Sequence, residues 1–206
     1  MRFVLSLLVA AAVPVAAAEV LEGRIVDVGA GDTATLEQSG GARRALRLHA
    51  VAAPTGRQPY AAESRRALGA LVQGKAVRFE VQREDDYRRL IGKLLVAAPD
   101  CTAPCTPTRD AGLAQLEAGL AWWYRDERKQ QTLHDQGYYE YAEYDARMQR
   151  RGLWRDEAPL PPWEWRKRQG ATMAEAAGVE IAVPPAPTFT PKVKPVTAGA
   201  ATGLSL

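Results

Sequence analysis

Apolar side chains alternate with polar ones in the first half of the chain and recur every three or four residues in the second. Gly23 to Val28 and Thr33 to Leu36 read as two strands around Gly29-Ala30-Gly31-Asp32, a glycine-rich tight turn. The segment 43–51 alternates again, with Leu46, Leu48 and Ala50 on one face and Arg47, His49 and Val51 on the other. Val77, Phe79 and Val81 mark a fourth strand, and residues 88–97 a fifth with a glycine inside it. Three helical patterns are interleaved or follow. The first starts near Pro59, carries Ala61, Ser64, Leu68, Leu71 and Val72 on one face, and stops at Gly74. The second begins near Asp110, an N-cap type of residue, with Leu113, Leu116 and Leu120 on one stripe. The third carries Tyr138, Ala142 and Ala146 and ends near Gly152. Three strands, a helix, two strands and two helices make an α+β chain. A five-stranded sheet closing into a small OB-type barrel, with three helices, fits that order.

Both ends differ from this body, which spans 19–168. Met1-Arg2, an apolar run from Phe3 to Val15 and then Ala16-Ala17-Ala18 have the layout of a cleaved signal peptide. The run is shorter than the roughly 20 residues a spanning helix needs. Cleavage after Ala18 and a periplasmic or secreted location are expected. Toward the other end, Ala, Pro, Gly and Thr supply 22 of the 36 residues from Ala171 to Leu206, with no apolar period. Such a stretch cannot bury enough surface to offset its ordering entropy, so 169–206 is expected to be a disordered tail.

Composition narrows the chemistry. Two His cannot supply a three-His metal site, and two Cys cannot make an all-Cys zinc finger. In an oxidising compartment Cys101 and Cys105 are expected to staple a small loop as a disulfide, because a redox pair is more typically spaced Cys-x-x-Cys. The net charge is +3, yet residues 19–157 hold as many acidic as basic groups. That balance argues against avid non-specific nucleic-acid binding and leaves room for a locally positive cleft. His49 and His134 have no Ser or Cys nucleophile beside them in sequence and read as structural or surface residues.

Six segments occur in an order that is itself informative: GDTATL at 31–36, RLHAVAAP at 47–54, QPYAAESRRAL at 58–68, DDYRRLIG at 85–92, GLAWWY at 119–124 and EYDARMQRRGLW at 143–154. Together they resemble the staphylococcal nuclease (thermonuclease) family from about Glu22 to Trp154. PPWEWRKR at 161–168 looks like the closing signature of exported bacterial members and reads as a clamp on the body, although its mixture of Trp with Arg and Lys also suits nucleic acid. The resemblance implies an OB-type barrel with three helices, calcium as cofactor, and hydrolysis of DNA and RNA phosphodiester bonds.

Carried over residue by residue, it also implies a divided site. Asp32 matches a calcium ligand, while the acid usual two residues before it is Ala30. Arg47 and Arg89 match the two phosphate-binding catalytic arginines. Ala52 stands where a second calcium-binding aspartate is usual, and Thr55 where a glutamate handles the attacking water. Tyr87 and Tyr124 match substrate-binding positions, and Arg88 replaces a usual Gly. Glu63 matches an acid the family keeps, so it offers no substitute; Asp27 is the remaining nearby acid. The phosphate-binding half is kept, and the metal-and-base half is replaced. A methyl cannot coordinate calcium, which takes six to eight oxygens, and a threonine hydroxyl is no base near pH 7. The implied function is an exported nuclease-family protein whose phosphodiester hydrolysis is weak or lost. The alternative is a non-catalytic OB-type module binding an oligonucleotide, another phosphate-bearing ligand or a protein. A monomer is expected.

Overall fold

The computed structural model describes residues 19–101 and 104–176, with side chains through 170. Residues 1–18, expected to be a signal peptide, lie outside that description, as does the expected tail beyond 176. Five strands form the body: β1 (Val20–Ala30), β2 (Thr33–Glu37), β3 (Arg43–Leu48), then, beyond the short β4 (Val51–Ala52) and helix α1 (Ala61–Val72), β5 (Ala76–Glu84) and β6 (Leu90–Val96). Antiparallel pairing runs in the order β3-β2-β1-β5-β6, and β3 then pairs with β6 in parallel, which closes the barrel. Closure leaves neither end of the five-strand sheet open.

Bends make that closure possible. β1 carries two register irregularities against β2, and β5 carries one near Val81 opposite β6. Bulges of this kind bend a strand and increase its twist. Gly92 sits opposite the β5 irregularity, where a Cβ would overlap the Glu80 carbonyl and press on the Phe79 ring. Inside, Ile25, Leu36, Leu46, Leu48, Phe79 and Leu94 are buried, together with Leu68 and Val72 of α1 and Leu116. The period-two pattern of the strands is the physical basis of this interior.

The remaining elements are β7 (Arg109–Asp110), α2 (Ala111–Glu117), β8 (Trp122–Trp123), a 3-10 turn at Arg125–Gln130, α3 (Leu133–Met148), a second 3-10 turn at Gly152–Arg155, and α4 (Pro162–Ala176). Asp110 caps α2, its Oδ1 accepting the N–H groups of Gly112 and Leu113 at 2.8 and 3.2 Å. Thr132 caps α3 by accepting the Asp135 N–H. Trp122, Ala146, Leu153 and Trp154 form a smaller apolar cluster behind β8. Cys101 and Cys105 are joined by a disulfide with their Cα atoms 5.9 Å apart. Among the described residues, no helix is long and apolar enough to cross a membrane.

Several local expectations change. Among the described residues Pro162–Ala176 forms a further α-helix beside the three expected, and it includes the first eight residues of the segment expected to lack order. The stretch 43–51 is not one strand. Ala50 has a φ of 55°, which breaks the alternation, and His49 is buried with Ala50 and Val51 instead of sharing the half-buried face of Arg47. On α3 the inward residue is Tyr139, not Tyr138, which is exposed. Leu120 lies beyond the end of α2.

Candidate phosphate-binding site

The turn between β1 and β2 positions Asp32 from three sides. The Ala30 N–H donates to Thr33 Oγ1 at 2.9 Å and closes the turn. Gln115 Nε2 donates to the Gly31 carbonyl at 2.7 Å and to the Ser64 carbonyl at 3.0 Å. Ser64 Oγ in turn donates to the Leu120 carbonyl at 2.7 Å. A buried Ser and a buried Gln therefore tie the turn to α1 and to α2. Gly31 packs so closely that a Cβ there would overlap the Ser64 hydroxyl and come within 2.9 Å of the Ala53 methyl.

Asp32 is itself buried, and its Oδ2 accepts the Ala53 N–H at 3.3 Å. Burial raises its pKa above the ordinary 3.8, opposed by the Ala53 N–H and by the charges of Arg47 and Arg89. Arg47 stands opposite Thr33 across β2 and β3, and opposite Ile91 across β3 and β6.

Arg89 enters the site from the turn before β6. Asp85 holds it twice, with Oδ1 accepting the Arg89 N–H at 2.9 Å and Oδ2 accepting Arg89 Nε at 2.8 Å. The Tyr87 N–H also donates to Asp85 Oδ1, at 2.9 Å. Arg88 adopts a φ of 63° in this turn and pairs with Glu84 at 3.0 Å. Arg89 lies 5.4 Å from the centre of the Tyr87 ring, which is 80% exposed. Sequence reading assigned no role to Asp85. Its position at the head of a tight turn, where Asp commonly bonds backbone two residues on, was the available signal.

The segment 49–53 forms the far wall. Glu127, buried, accepts the Ala50 N–H at 2.7 Å through Oε2 and binds Arg83 at 2.7 Å through Oε1. Burial lowers the pKa of His49, opposed by the Glu127 charge. The Tyr124 N–H donates to the Ala50 carbonyl at 2.9 Å. Partial burial raises the pKa of the Tyr124 hydroxyl, as does its bond with Asp126, and the Arg47 charge opposes both. Arg47 and Arg89 thus both act on Asp32, Tyr87 lies by Arg89, and Tyr124 feels the Arg47 charge.

The other expected positions contribute less. Ala52 is buried and pairs with Trp122 between β4 and β8. Thr55 is occupied locally, its N–H donating to Gln58 Oε1 at 3.2 Å. Asp27 is exposed, and Glu63 faces Arg66 at 3.7 Å. Among the described residues no group of three His, Cys, Asp or Glu is arranged to hold a metal ion.

Comparison with known proteins gives consistent matches. Residues 45–156 match the family described as staphylococcal nuclease homologue. An uncharacterized endonuclease of Escherichia coli O157:H7 is 35% identical over 156 residues, which is 76% of this chain and 91% of that protein. An uncharacterized endonuclease of Haemophilus influenzae is 28% identical, covering 73% of this chain and 76% of its own length. A probable staphylococcal-like nuclease of Oryza sativa is 34% identical over 129 residues, 61% of this chain but 34% of the longer plant protein.

Proposed function

The chain belongs to the staphylococcal nuclease family, and on that premise we propose that it is an exported protein which binds the phosphodiester backbone of a polynucleotide through Arg47 and Arg89 and hydrolyses it weakly or not at all. Two guanidiniums near one another suit a phosphate, because each offers planar pairs of donors matched to its oxygens. In a phosphoryl transfer the same groups offset the charge that builds on the equatorial oxygens. Tyr87, largely in solvent beside Arg89, and Tyr124, beside Arg47, flank that position with ring faces on which a base stacks.

The observation that carries the reading is the donor set around Asp32. A calcium site wants several oxygens, and the residues here do not fit one. Asp32 is a single carboxylate whose Oδ2 already accepts from Ala53. Ala52 offers a methyl, and the Thr55 backbone is held by Gln58. Among the described residues, Asp27 faces solvent and Glu63 is engaged by Arg66, so neither replaces the missing base. Asp32 remains as one buried carboxylate that feels the charges of Arg47 and Arg89. General-base catalysis typically supplies about 10²–10⁴ in rate, so its loss alone leaves hydrolysis slow.

The test is an assay of purified mature protein on single-stranded DNA with calcium and with chelator, run beside a binding titration. Retained binding with little cutting is expected, and Arg47→Ala and Arg89→Ala each abolish the binding. Rapid calcium-dependent degradation that stops with chelator overturns the reading.

A further inference from the structure

A second groove begins where the phosphate site ends. The Tyr124 ring lies 5.4 Å from that of Trp163, near the start of α4. Trp163 then walls a groove of about 540 Å³ lined also by Trp122, Trp154, Arg125, Arg147 and Arg150. That volume lies in the range of small-molecule sites.

Its lining is built rather than incidental. Trp122 and Trp154 meet edge to face with centroids 5.9 Å apart. The Arg147 guanidinium lies 4.1 Å from the Trp154 ring centre, and that of Arg125 lies 4.6 Å from the Trp123 ring centre. Both arginines are held by one buried acid, Glu143, whose Oε2 binds Arg125 at 2.8 Å and Arg147 at 3.4 Å. Each remains close to half exposed despite that clamp. Arg150, exposed at the edge, makes no ion pair among the described residues. Asp156 and Glu157 also line the groove, and Asp156 accepts the Tyr60 hydroxyl at 3.0 Å. Three arginines against two acids leave little net charge, so the groove suits the flat face of a base better than a bare phosphate.

We infer that this groove is a stacking subsite for a base of a single-stranded polynucleotide whose backbone phosphate is held at Arg47 and Arg89. The inference rests on the phosphate-binding reading and adds the form of the ligand. The Arg147 guanidinium over Trp154 and a half-buried Trp163 offer faces on which a base stacks whatever its identity. Tyr124 links the two sites as a shared wall, because it feels the Arg47 charge on one side and packs on Trp163 on the other.

The experiment compares fluorescent dT2 and dT10 by anisotropy across salt, with wild-type protein, Trp163→Ala, Trp163→Phe and Arg150→Glu. Stacking on an aromatic is worth enough per base that Trp163→Ala weakens dT10 by about tenfold or more, while Trp163→Phe restores most of it. Arg150→Glu, at an exposed position with no partner to lose, weakens dT10 and flattens its salt dependence by about one phosphate contact. Binding of dT2, which can offer the groove at most one base, falls far less than that of dT10 in all three. If dT10 binds every variant as it binds wild type, while dT2 still requires Arg47 and Arg89, the groove inference is overturned and the phosphate site stands. If neither oligonucleotide binds wild type at low salt, both fall.

Discussion

Asp85 grips Arg89 through backbone and side chain at once, with 2.9 Å to its N–H and 2.8 Å to its Nε. The carboxylate thereby fixes where the second guanidinium starts. Burial raises the pKa of Asp85, but the bonds from the N–H and guanidinium of Arg89, its charge and the Tyr87 N–H outweigh that and hold the carboxyl below its ordinary 3.8. A carboxyl lowered in the folded state stabilises fully above its unfolded pKa and loses that contribution as pH falls through the folded value. Asp85→Asn should therefore cost about 1 kcal/mol at pH 7, the scale of lost hydrogen bonds at a partly exposed site. Urea melts at neutral and acid pH check it: a gap to wild type that stays constant at strongly acid pH contradicts the assignment.

Asp32 titrates in the opposite sense. Burial raises its pKa, so the folded protein holds that proton more tightly than the unfolded chain does. Its contribution is present below 3.8 and is lost as pH rises through the raised folded value. Asp32→Asn removes this penalty, and the variant should melt above wild type at pH 7 and level with it below pH 3.8. Inorganic phosphate should also bind more tightly, since a negative charge leaves the neighbourhood of two arginines. A variant that melts lower at pH 7 contradicts this account of Asp32.

Restoring the missing acids tests the site from the other direction. Ala52→Asp with Thr55→Glu places two carboxylates beside Asp32, one of them at a buried position. Without calcium the double variant should lose about 1–3 kcal/mol, the cost of burying polar groups imperfectly paired. Calcium should raise its melting temperature, leave wild type unmoved and switch on cutting of single-stranded DNA, aided further by Ala30→Asp. A folded variant that gains neither response contradicts the matching of these positions.

Gly31→Ala tests the support beneath Asp32. The added methyl meets Ser64 and Ala53 on two sides, so neither a rotamer change nor a small shift relieves it. Overpacking of this kind typically costs about 1–3 kcal/mol. A thermal melt reads the loss, and oligonucleotide binding should weaken with it because Thr33, which follows the same turn, lies opposite Arg47.

The barrel was legible because its strands obey a period of two and their inward residues are plainly apolar, as at Leu46, Leu48, Phe79 and Leu94. The same simplicity misled at α3. Spacing of apolar residues pointed to Tyr138, whereas the buried face runs Tyr139, Ala142, Glu143 and Ala146. A glutamate belongs on that face because Arg147, one turn further along α3, and Arg125 and the Trp123 N–H, from an earlier segment, all reach it. The break at Ala50 was hidden for a related reason. No glycine marks the positive φ, which is imposed by the Glu127 carboxylate and by Tyr124, over 70 residues away. Motif order points to Arg47 and Arg89, but Asp85 as the anchor of Arg89 and Trp163 as the neighbour of Tyr124 required three dimensions.

The parallel pairing of β3 with β6 joins segments more than 40 residues apart, and Leu46 lies opposite Leu90 in it. Arg47 and Arg89 each stand one residue from that pair. On the proposed binding mode, an anion spanning the two guanidiniums would be a clasp across the seam where the staves meet. Occupancy there should slow the parting of the cylinder itself, so amide protons of both strands are expected to exchange more slowly with solvent when phosphate is bound.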